Sequence, residues 1–529
     1  MSDQKVVVDV SYISAIASAI RYKNGEYSSY NISDFPDKIM AIPRNVGNLQ
    51  DILEGSISKL DIPVVSTVRA NCFTVLESLT EVVFPSVINV GSDAFRGCTN
   101  LSNVYLPSAK YIGDGAFREC ISLSAIDFQE VLIIGNFVFN GAASVSSIKM
   151  PKLKDLGTNS FSGNSYLTEV DLRACSLIGR DTFNGCSNLQ TVNIENCEVI
   201  GQNAFMSCIK LSSIETFNAE IVWRKAFYGC YALEKVDFTN VKIVGSSAFV
   251  ATSISKLSAP NLLIIEDWAF NQCGKLKNIS IPSINNIGVA AFSRCSSLTT
   301  VYFPNVEEIG SYAFRDCIEL SSKLELNKCS YVGRSAFYGC DSLKEIYLPN
   351  CTSIENETFL GCHNLEKVDI HNCSIVSSSA FLGCPFSSIN LPECTYIGGN
   401  AFLGCINLHS ISIPKCSVIE HEAFEDCYNL SSIWLPEVTE LYSYAFYWNE
   451  KLESVFLFTN QVPVLVSGAL SIFYSTPITR STLLEPNRYG SIFVKKALEP
   501  LFLEDENWSN YADRIVGLTD EEIEALDNQ

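Results

Sequence analysis

One apolar pattern recurs along most of the chain at a nearly constant interval. A Phe returns after every 21, 22 or 23 residues, and its flanking residues return with it. The segment from Ile112 to Cys120, for example, reads IGDGAFREC, and the segment from Ile309 to Cys317 reads IGSYAFRDC. The recurring residues are Phe73, Phe95, Phe117, Phe139, Phe161, Phe183, Phe205, Phe227, Phe249, Phe270, Phe292, Phe314, Phe337, Phe359, Phe381, Phe402, Phe424 and Phe446. So many aromatic residues in one register indicate a protein built from tandem repeats.

A second apolar pattern follows the Phe and ends in an alternation of period two, as in Leu298-x-x-Val301-x-Phe303-Pro304. This alternation predicts a short strand with one buried face, and a Pro at its end stops further pairing. One repeat alone cannot bury such a face, so the copies must stack with their strands in parallel. The predicted fold is a repeat solenoid with a parallel β-sheet and about 18 repeats of 22 residues.

In each predicted strand, the residue between the two inward positions is expected to point away from the core. Within this outward column, the row from Asp127 to Asp237 is rich in carboxylates, and a solvated acidic face explains it better than a calcium site. Near the C-terminal end, Trp434 and Phe456 are neighbours in the column. Four more aromatic residues belong to the same coil: Tyr442, Tyr444, Tyr447 and Trp448. Together they predict an exposed binding patch, with packing beneath a C-terminal cap as the alternative.

Both ends of the repeat region need capping segments, because a terminal repeat would otherwise expose its apolar face. Residues 1–44 predict two short helices for attachment to partner chains, with an apolar stripe of Ile13, Ile16, Ala17 and Ile20. Residues 45–458 are assigned to the solenoid. Residues 459–529 lose the Phe period and are expected to form an irregular cap with an acidic tail, since the last 31 residues hold ten carboxylates against Arg514 alone.

The composition narrows the classes of partner. A hydrophobic content of 47% with 18% charged residues is typical of a folded chain. The net charge of -21 argues against nucleic acid and anionic membranes as ligands, because both are bound through clustered Lys and Arg. The N-terminal residues show no secretory signal pattern, and no apolar run is long enough to predict a membrane-spanning helix.

The 21 cysteines follow the repeat. Most lie three residues after or eight residues before the Phe, where other repeats have aliphatic residues, so we expect buried, reduced thiols rather than disulfides or ligands. A zinc site is conceivable at Cys362, His363, His371 and Cys373, but both of these cysteines occupy the repeat columns. The segment from His421 to Glu425 begins like a zinc-protease helix and lacks the second His. No nucleophile or phosphate-binding motif is recognised either. The sequence therefore predicts no enzyme, metal or cofactor.

The motif L-x-x-I-x-L-P, followed after roughly ten residues by I-G-x-x-A-F-x-G-C, resembles the BspA-like class of leucine-rich repeats. The resemblance covers residues 57–458, and the segment from Asn507 to Ile515 resembles the usual closing segment of these regions, where Trp and Ile cover the last coil. The resemblance implies a curved solenoid whose strand-lined face serves adhesion and binding, without specifying the partner.

The segment from Ile13 to Gly25, followed by Asp34 to Ile39, resembles a module of tail proteins from phages that infect Gram-positive bacteria. This resemblance implies a virion or phage-tail-like particle assembled in the host cytoplasm. Our leading hypothesis is a non-enzymatic receptor-binding protein. It would contact a bacterial surface protein or glycan and would join tail or baseplate proteins through residues 1–44. Homo-oligomers are also conceivable. The alternative is a bacterial or protist surface adhesin.

Overall fold

The computed structural model describes residues 57–142, 144–215, 217–321, 323–466, 472–479 and 490–527. The predicted attachment helices at 1–44 lie outside this range. The chain divides into two compact units, residues 1–255 and 256–529, and each is described separately.

Most repeat turns contain the same three segments, as the turn around Phe117 shows. A strand, Asn103–Tyr105, places Val104 in the core and leaves Tyr105 48% exposed. A two-residue strand, Tyr111–Ile112, follows with Ile112 buried. A turn segment then carries Phe117 into the core before the next strand begins. We call the stack of strands equivalent to Asn103–Tyr105 the first ladder and the stack of strands equivalent to Tyr111–Ile112 the second ladder.

In the first unit both ladders are parallel and in one-repeat register, so Glu169 lies opposite Thr191 and Val199 lies opposite Ile221. The first-ladder strands are Lys59–Asp61, Glu81–Val83, Asn103–Tyr105, Ala125–Asp127, Ser147–Lys149, Glu169–Asp171, Thr191–Asn193 and Ser213–Glu215. The second-ladder strands are Thr67–Val68, Asn89–Val90, Tyr111–Ile112, Ile133–Ile134, Asp155–Leu156, Leu177–Ile178, Val199–Ile200, Ile221–Val222 and Ile243–Val244.

The second unit continues the same parallel arrangement within itself. Its first-ladder strands are Lys256–Ser258, Asn278–Ser280, Thr300–Tyr302, Leu324–Glu325, Glu345–Tyr347, Lys367–Asp369, Ser388–Asn390, Ser410–Ser412, Ser432–Trp434, Ser454–Leu457, Ser491–Lys495 and Ile515–Leu518. Its second-ladder strands are Ile264–Ile265, Asn286–Ile287, Glu308–Ile309, Tyr331–Val332, Ser353–Ile354, Ile375–Val376, Tyr396–Ile397, Val418–Ile419, Glu440–Leu441 and Val464–Leu465. The predicted parallel solenoid is confirmed.

The repeat Phe side chains form the centre of the core. All eighteen are at most 1% exposed. Neighbouring rings within the first unit stack with centroids 4.9–5.6 Å apart. In the second unit the spacing is 5.2–5.6 Å. The prediction that these residues share one buried register is therefore confirmed.

The turn segments are joined by hydrogen bonds although they are not strands. In the turn of Phe205, the N–H groups of Asn203, Phe205 and Ser207 donate to carbonyls of the next repeat at 2.8–3.0 Å. Asn203 and Ser207, two residues either side of the Phe, have φ of 55° and 61°. This left-handed pair recurs beside every repeat Phe and turns alternate peptide groups towards the neighbouring repeat.

The Gly four residues before the Phe is required by lack of space and not by its backbone conformation. At Gly201 a Cβ would lie 2.6 Å from the carbonyl oxygen of Ile178 and 2.8 Å from the carbonyl carbon of Gly179. This Gly does not have positive φ. It is required because the backbone of the preceding repeat approaches too closely for a side chain.

The C-terminal cap is more regular than the sequence predicts. Ser491–Lys495 and Ile515–Leu518 extend the first ladder in parallel beyond Ser454–Leu457. Phe473 also extends the Phe column, stacking on Phe446 at 5.5 Å. Trp508 is fully buried and donates from Nε1 to the carbonyl of Pro463 at 2.7 Å, so Trp508 does cover the last coil. A helix at Glu499–Glu504, a 3-10 helix at Trp508–Arg514 and an acidic helix at Asp520–Asp527 complete the described cap.

Candidate functional site

The six aromatic residues predicted as one binding patch lie on different segments of the coil. Trp434 and Phe456 face each other in the first ladder, with ring centroids 4.3 Å apart. Phe493 stacks on the other side of Phe456 at 4.9 Å. Phe456 is only 9% exposed as a result. The expectation that Phe456 is exposed is therefore wrong, because the first ladder continues into the cap and covers its ring.

Tyr442 directly follows a strand of the second ladder, Glu440–Leu441, and is half-buried. Its hydroxyl donates to Glu440 Oε2 at 3.1 Å. This hydrogen bond and the charge of Glu440 raise the pKa of the Tyr442 phenol. Tyr442 is therefore tied to its own strand.

The remaining three residues form a surface cluster with Tyr474 of the following turn. Tyr444, Trp448 and Tyr474 are 42%, 44% and 42% exposed. The Tyr447 ring lies among them, 5.3 Å from Tyr444, 5.0 Å from Trp448 and 5.5 Å from Tyr474. We call these four residues the aromatic cluster. It offers adjacent ring faces and edges to solvent, which is the arrangement that binds apolar or cationic groups.

The local backbone explains why these rings point outward. Phe446 enters the core and donates its N–H to the carbonyl of Ile472 at 3.0 Å. Tyr444 and Trp448 occupy the two left-handed positions beside it, with φ of 60° and 56°. Bulky residues adopt this conformation at a cost of about 1–3 kcal/mol each. A pair of large aromatic residues at positions suited to Gly or Asn is a strained feature that motivates a functional hypothesis.

Three carboxylates occupy the matching positions of the preceding turn: Glu422, Glu425 and Asp426. Burial, followed by the charges of Glu422 and Asp426, raises the pKa of Glu425 to about 7. The charges of Glu425 and Asp426 also contribute to the raised pKa of the Tyr447 phenol, after burial and Tyr474. We call these three residues the acidic row. The aromatic cluster and the acidic row therefore belong to one electrostatic environment.

Some carboxylates of the first ladder have cationic neighbours. Asp171 is paired with Arg173 at 2.5 Å, and Lys149 lies 3.7 Å from Glu169. Within the described ranges, no group of three or more His, Cys, Asp or Glu side chains is arranged to hold a metal ion. The row is a solvated surface with ion pairs of its own.

The candidate zinc residues near position 370 are also separated. Cys362 and Cys373 are fully buried. His363 and His371 lie at the surface, where each Nδ1 is 2.8 Å from an Asp carboxylate, Asp341 and Asp369 respectively. The thiols and imidazoles therefore face different environments.

All 21 cysteines are buried as reduced thiols. In twelve turns, the Sγ three residues after the Phe donates to the carbonyl of the preceding repeat Phe at 3.0–3.4 Å. Burial raises the pKa of thiols in both columns, to about 12 for Cys98 and about 11 for Cys175. The cysteines therefore act as small core residues with a weak donor, and they are poor nucleophiles.

Two surface features escape the sequence analysis. The first is Tyr474, whose turn does not follow the 21- to 23-residue period. The spacing from Phe446 to Phe473 is 27 residues. The second feature is an apolar row on the outer side of the second ladder, formed by the adjacent pairs Leu177–Val199, Val199–Ile221 and Ile221–Ile243. The apolar residue directly before each buried Ile or Val was the signal for this row.

The helices of the described part are too short and polar to cross a bilayer.

Comparison with known families gives overlapping matches to the BspA type leucine-rich repeat region. The matched residues are 54–168, 110–222, 164–275, 198–321, 263–384, 330–453 and 374–487. A search of curated proteins gives no significant match.

Several solved structures are similar to this chain. A leucine-rich cell surface protein from Faecalibacterium prausnitzii is 22% identical over 60% of this chain and 88% of its own, with a TM-score of 0.35. A leucine-rich repeat protein from Bacteroides ovatus is 23% identical over 71% and 86%, with a TM-score of 0.37. A leucine-rich repeat protein from T. pallidum is 29% identical over 30% and 79%, with a TM-score of 0.29.

Proposed function

Because the chain belongs to the family of BspA-type leucine-rich repeat proteins, we propose that it is a non-enzymatic binding protein that adheres to a bacterial surface through its aromatic cluster. Repeat proteins of this kind display side chains on a rigid stacked backbone, which suits recognition of other molecules. Among the described residues, the aromatic cluster exposes ring faces and edges that a ligand could contact.

The observation that carries this proposal is the exposure of Tyr444, Trp448 and Tyr474 around Tyr447. Rigid aromatic side chains lose little conformational entropy on binding and commonly dominate the energy of an interface. Trp434 is half-buried against Phe456 and Phe458, and we assign it to the cap rather than to the contact surface.

The test measures adhesion of the labelled full chain to a panel of whole bacterial cells. A variant with Tyr444→Asn and Trp448→Asn removes two rings while retaining a residue that tolerates left-handed backbone. We expect its apparent affinity for the cells that bind the wild-type chain to fall about tenfold or more, as for loss of interface anchors.

Trp268→Asn is the matched control. Trp268 also has left-handed φ, 62°, and is 47% exposed, but it lies outside the aromatic cluster. This variant should adhere like the wild-type chain. Both variants should retain the wild-type circular dichroism and should melt no lower than the wild-type chain, because Asn relieves strain at left-handed positions. Equal adhesion of all three proteins would contradict the assignment of the aromatic cluster. Failure of the wild-type chain to adhere to any cell in the panel would contradict a bacterial target.

We consider two proposals for where the protein is displayed. Exposure on a cell surface accords with adhesion, while incorporation into a phage-tail particle rests on the resemblance of residues 1–44 alone. Deleting these residues should prevent incorporation into particles without reducing adhesion if the second proposal is correct. Immunogold labelling of producing cells and of purified particles separates them: gold on the cell envelope supports the first, and gold on particle tails supports the second.

A further inference from the structure

We propose that the aromatic cluster, together with the acidic row, binds a basic segment of a partner protein, with Lys or Arg side chains placed on the aromatic faces. This inference rests on the proposed function and specifies the chemistry of its ligand. The argument depends on register, on local charge and on the cations that the chain uses elsewhere.

The repeat register brings the two sets of side chains together. Glu422 and Tyr444 hold the same position in consecutive turns, as do Asp426 and Trp448. Two backbone hydrogen bonds fix this alignment, since the N–H groups of Glu422 and Asp426 donate to the carbonyls of Ser443 and Tyr447 at 3.1 and 3.0 Å. The acidic row and the aromatic cluster are therefore neighbouring rows on one surface.

Local charge makes this surface complementary to a cation. Residues 420–453 hold eight carboxylates and a single Lys or Arg, Lys451. The Lys451 ammonium is directed to Asn429 Oδ1, 2.6 Å away. Among the residues described, Glu422, Glu425 and Asp426 have no ion pair with Lys or Arg; Glu422 accepts a hydrogen bond from Asn400 at 2.7 Å. A bound cation would relieve the mutual repulsion that contributes to the raised pKa of Glu425.

Elsewhere, three aromatic rings at the surface, one exposed and two partly buried, receive cations from the chain itself. The Arg315 guanidinium lies 5.7 Å from the Tyr312 ring and 4.8 Å from the Tyr338 ring. The Arg118 guanidinium lies 5.8 Å from the Phe137 ring. Each of these contacts is within the range of a cation–π interaction.

Tyr444, Tyr447 and Trp448 have no such cation among the residues described. They are also the rings that lie beside unneutralised carboxylates. A Lys or Arg of a partner would thus provide the charge that the chain supplies to other rings. A neutral glycan would gain the ring contact but would leave the repulsion of the acidic row unchanged.

The experiment measures binding of a fluorescein-labelled hexa-arginine peptide to the full chain by fluorescence anisotropy at pH 8 and low salt. The Tyr444→Asn, Trp448→Asn variant should bind about tenfold more weakly, because cation–π contacts are lost. Glu425→Gln with Asp426→Asn should weaken binding by a similar factor, and added salt should weaken binding to the wild-type chain.

Trp268→Asn and Asp316→Asn are the controls for the ring and charge changes. Asp316 holds the same turn position as Asp426, but it lies 3.7 Å from Arg294 and 3.5 Å from Arg315. Neither control should change the affinity by more than about twofold. If all variants bind the peptide equally, its attraction is general to this acidic chain, and the inference is overturned.

The same proteins separate this inference from the proposed function. If the ring variant loses adhesion to cells while its affinity for hexa-arginine is unchanged, the aromatic cluster binds a ligand that is not a basic segment. The inference then fails and the proposed function stands. Binding of neutral cell-wall oligosaccharide that depends on Trp448 and not on Glu425 or Asp426 would identify the glycan alternative and also overturn the inference. Unchanged cell adhesion of the ring variant would refute the proposed function itself.

Discussion

Two kinds of glycine within the repeat serve different physical needs. Gly201, four residues before its Phe, faces backbone atoms of the preceding repeat at 2.6–2.9 Å from where a Cβ would lie. Gly185, two residues after its Phe, has φ of 76°, and its nearest such neighbour lies 3.9 Å away. The first is selected by space and the second by backbone conformation.

This difference predicts unequal costs of substitution by Ala. Gly185→Ala should lower the free energy of unfolding by about 1 kcal/mol, since left-handed φ is the only penalty. Gly201→Ala should cost about 3 kcal/mol, because neighbouring backbone must move apart. Urea denaturation of the two variants provides the comparison. A larger loss for Gly185→Ala would show that close approach does not determine the Gly four residues before the Phe.

The buried thiols predict chemical inertness. Burial raises the pKa of Cys186 to about 12, and the other turn-segment thiols lie in similar surroundings, so little nucleophilic thiolate exists near neutral pH. At pH 8, a maleimide reagent should modify few of the 21 cysteines of the native chain within minutes, and all of them in denaturant without prior reduction. Rapid native labelling of most cysteines would contradict this. Fewer than 21 labelled after denaturation, rising on reduction, would reveal disulfides.

At the scale of elements, the stacked Phe column joins successive turns within each unit. Phe227 is fully buried, and its ring lies 5.2 Å from Phe205 and 5.1 Å from Phe249. Removing this ring would leave a cavity and would also eliminate its contacts with the Phe residues of both neighbouring turns.

Phe227→Ala should therefore destabilise the surrounding turns by about 3–5 kcal/mol. Phe227→Leu, which keeps most of the volume, should cost less than half of that. Amide hydrogen exchange should accelerate at Phe205 and Phe227, whose N–H groups donate to Ala226 and Ala248. Unchanged exchange at these amides in Phe227→Ala would contradict the proposed cohesion.

The elements that sequence predicts well are those that repeat. The period predicts which residue of Asn103–Tyr105 faces the core, because the same alternation recurs in most strands of the first ladder. Phe473 and the strand Ser491–Lys495 escape this reasoning, since their spacing departs from 22 residues and only tertiary pairing reveals their register. The left-handed residues are also hidden, because Asn, Ser, Glu and Trp all occupy these positions and share no common side-chain property.

At the scale of the whole molecule, the candidate site is also partly predictable from the sequence and partly visible only in the structure. Sequence reasoning identifies Tyr444, Tyr447 and Trp448 as an unusual aromatic concentration. It also places Trp434 and Phe456 in the exposed patch, because the strand Ser491–Lys495 that covers Phe456 is recognised only in the three-dimensional structure. The acidic row also escapes notice, since its residues become neighbours of the aromatic cluster only through the offset of one complete turn.

Strict register has a consequence for how such a gene can change in length. Loss of residues 169–190 would join Thr168 to Thr191 and bring Ser147–Lys149 opposite Thr191–Asn193, as one strand replaces its equivalent. The shortened chain would keep both ladders and the Phe column. Unequal recombination between neighbouring repeats could therefore delete or duplicate a whole turn in a single event, whereas loss of half a repeat would place core residues in solvent.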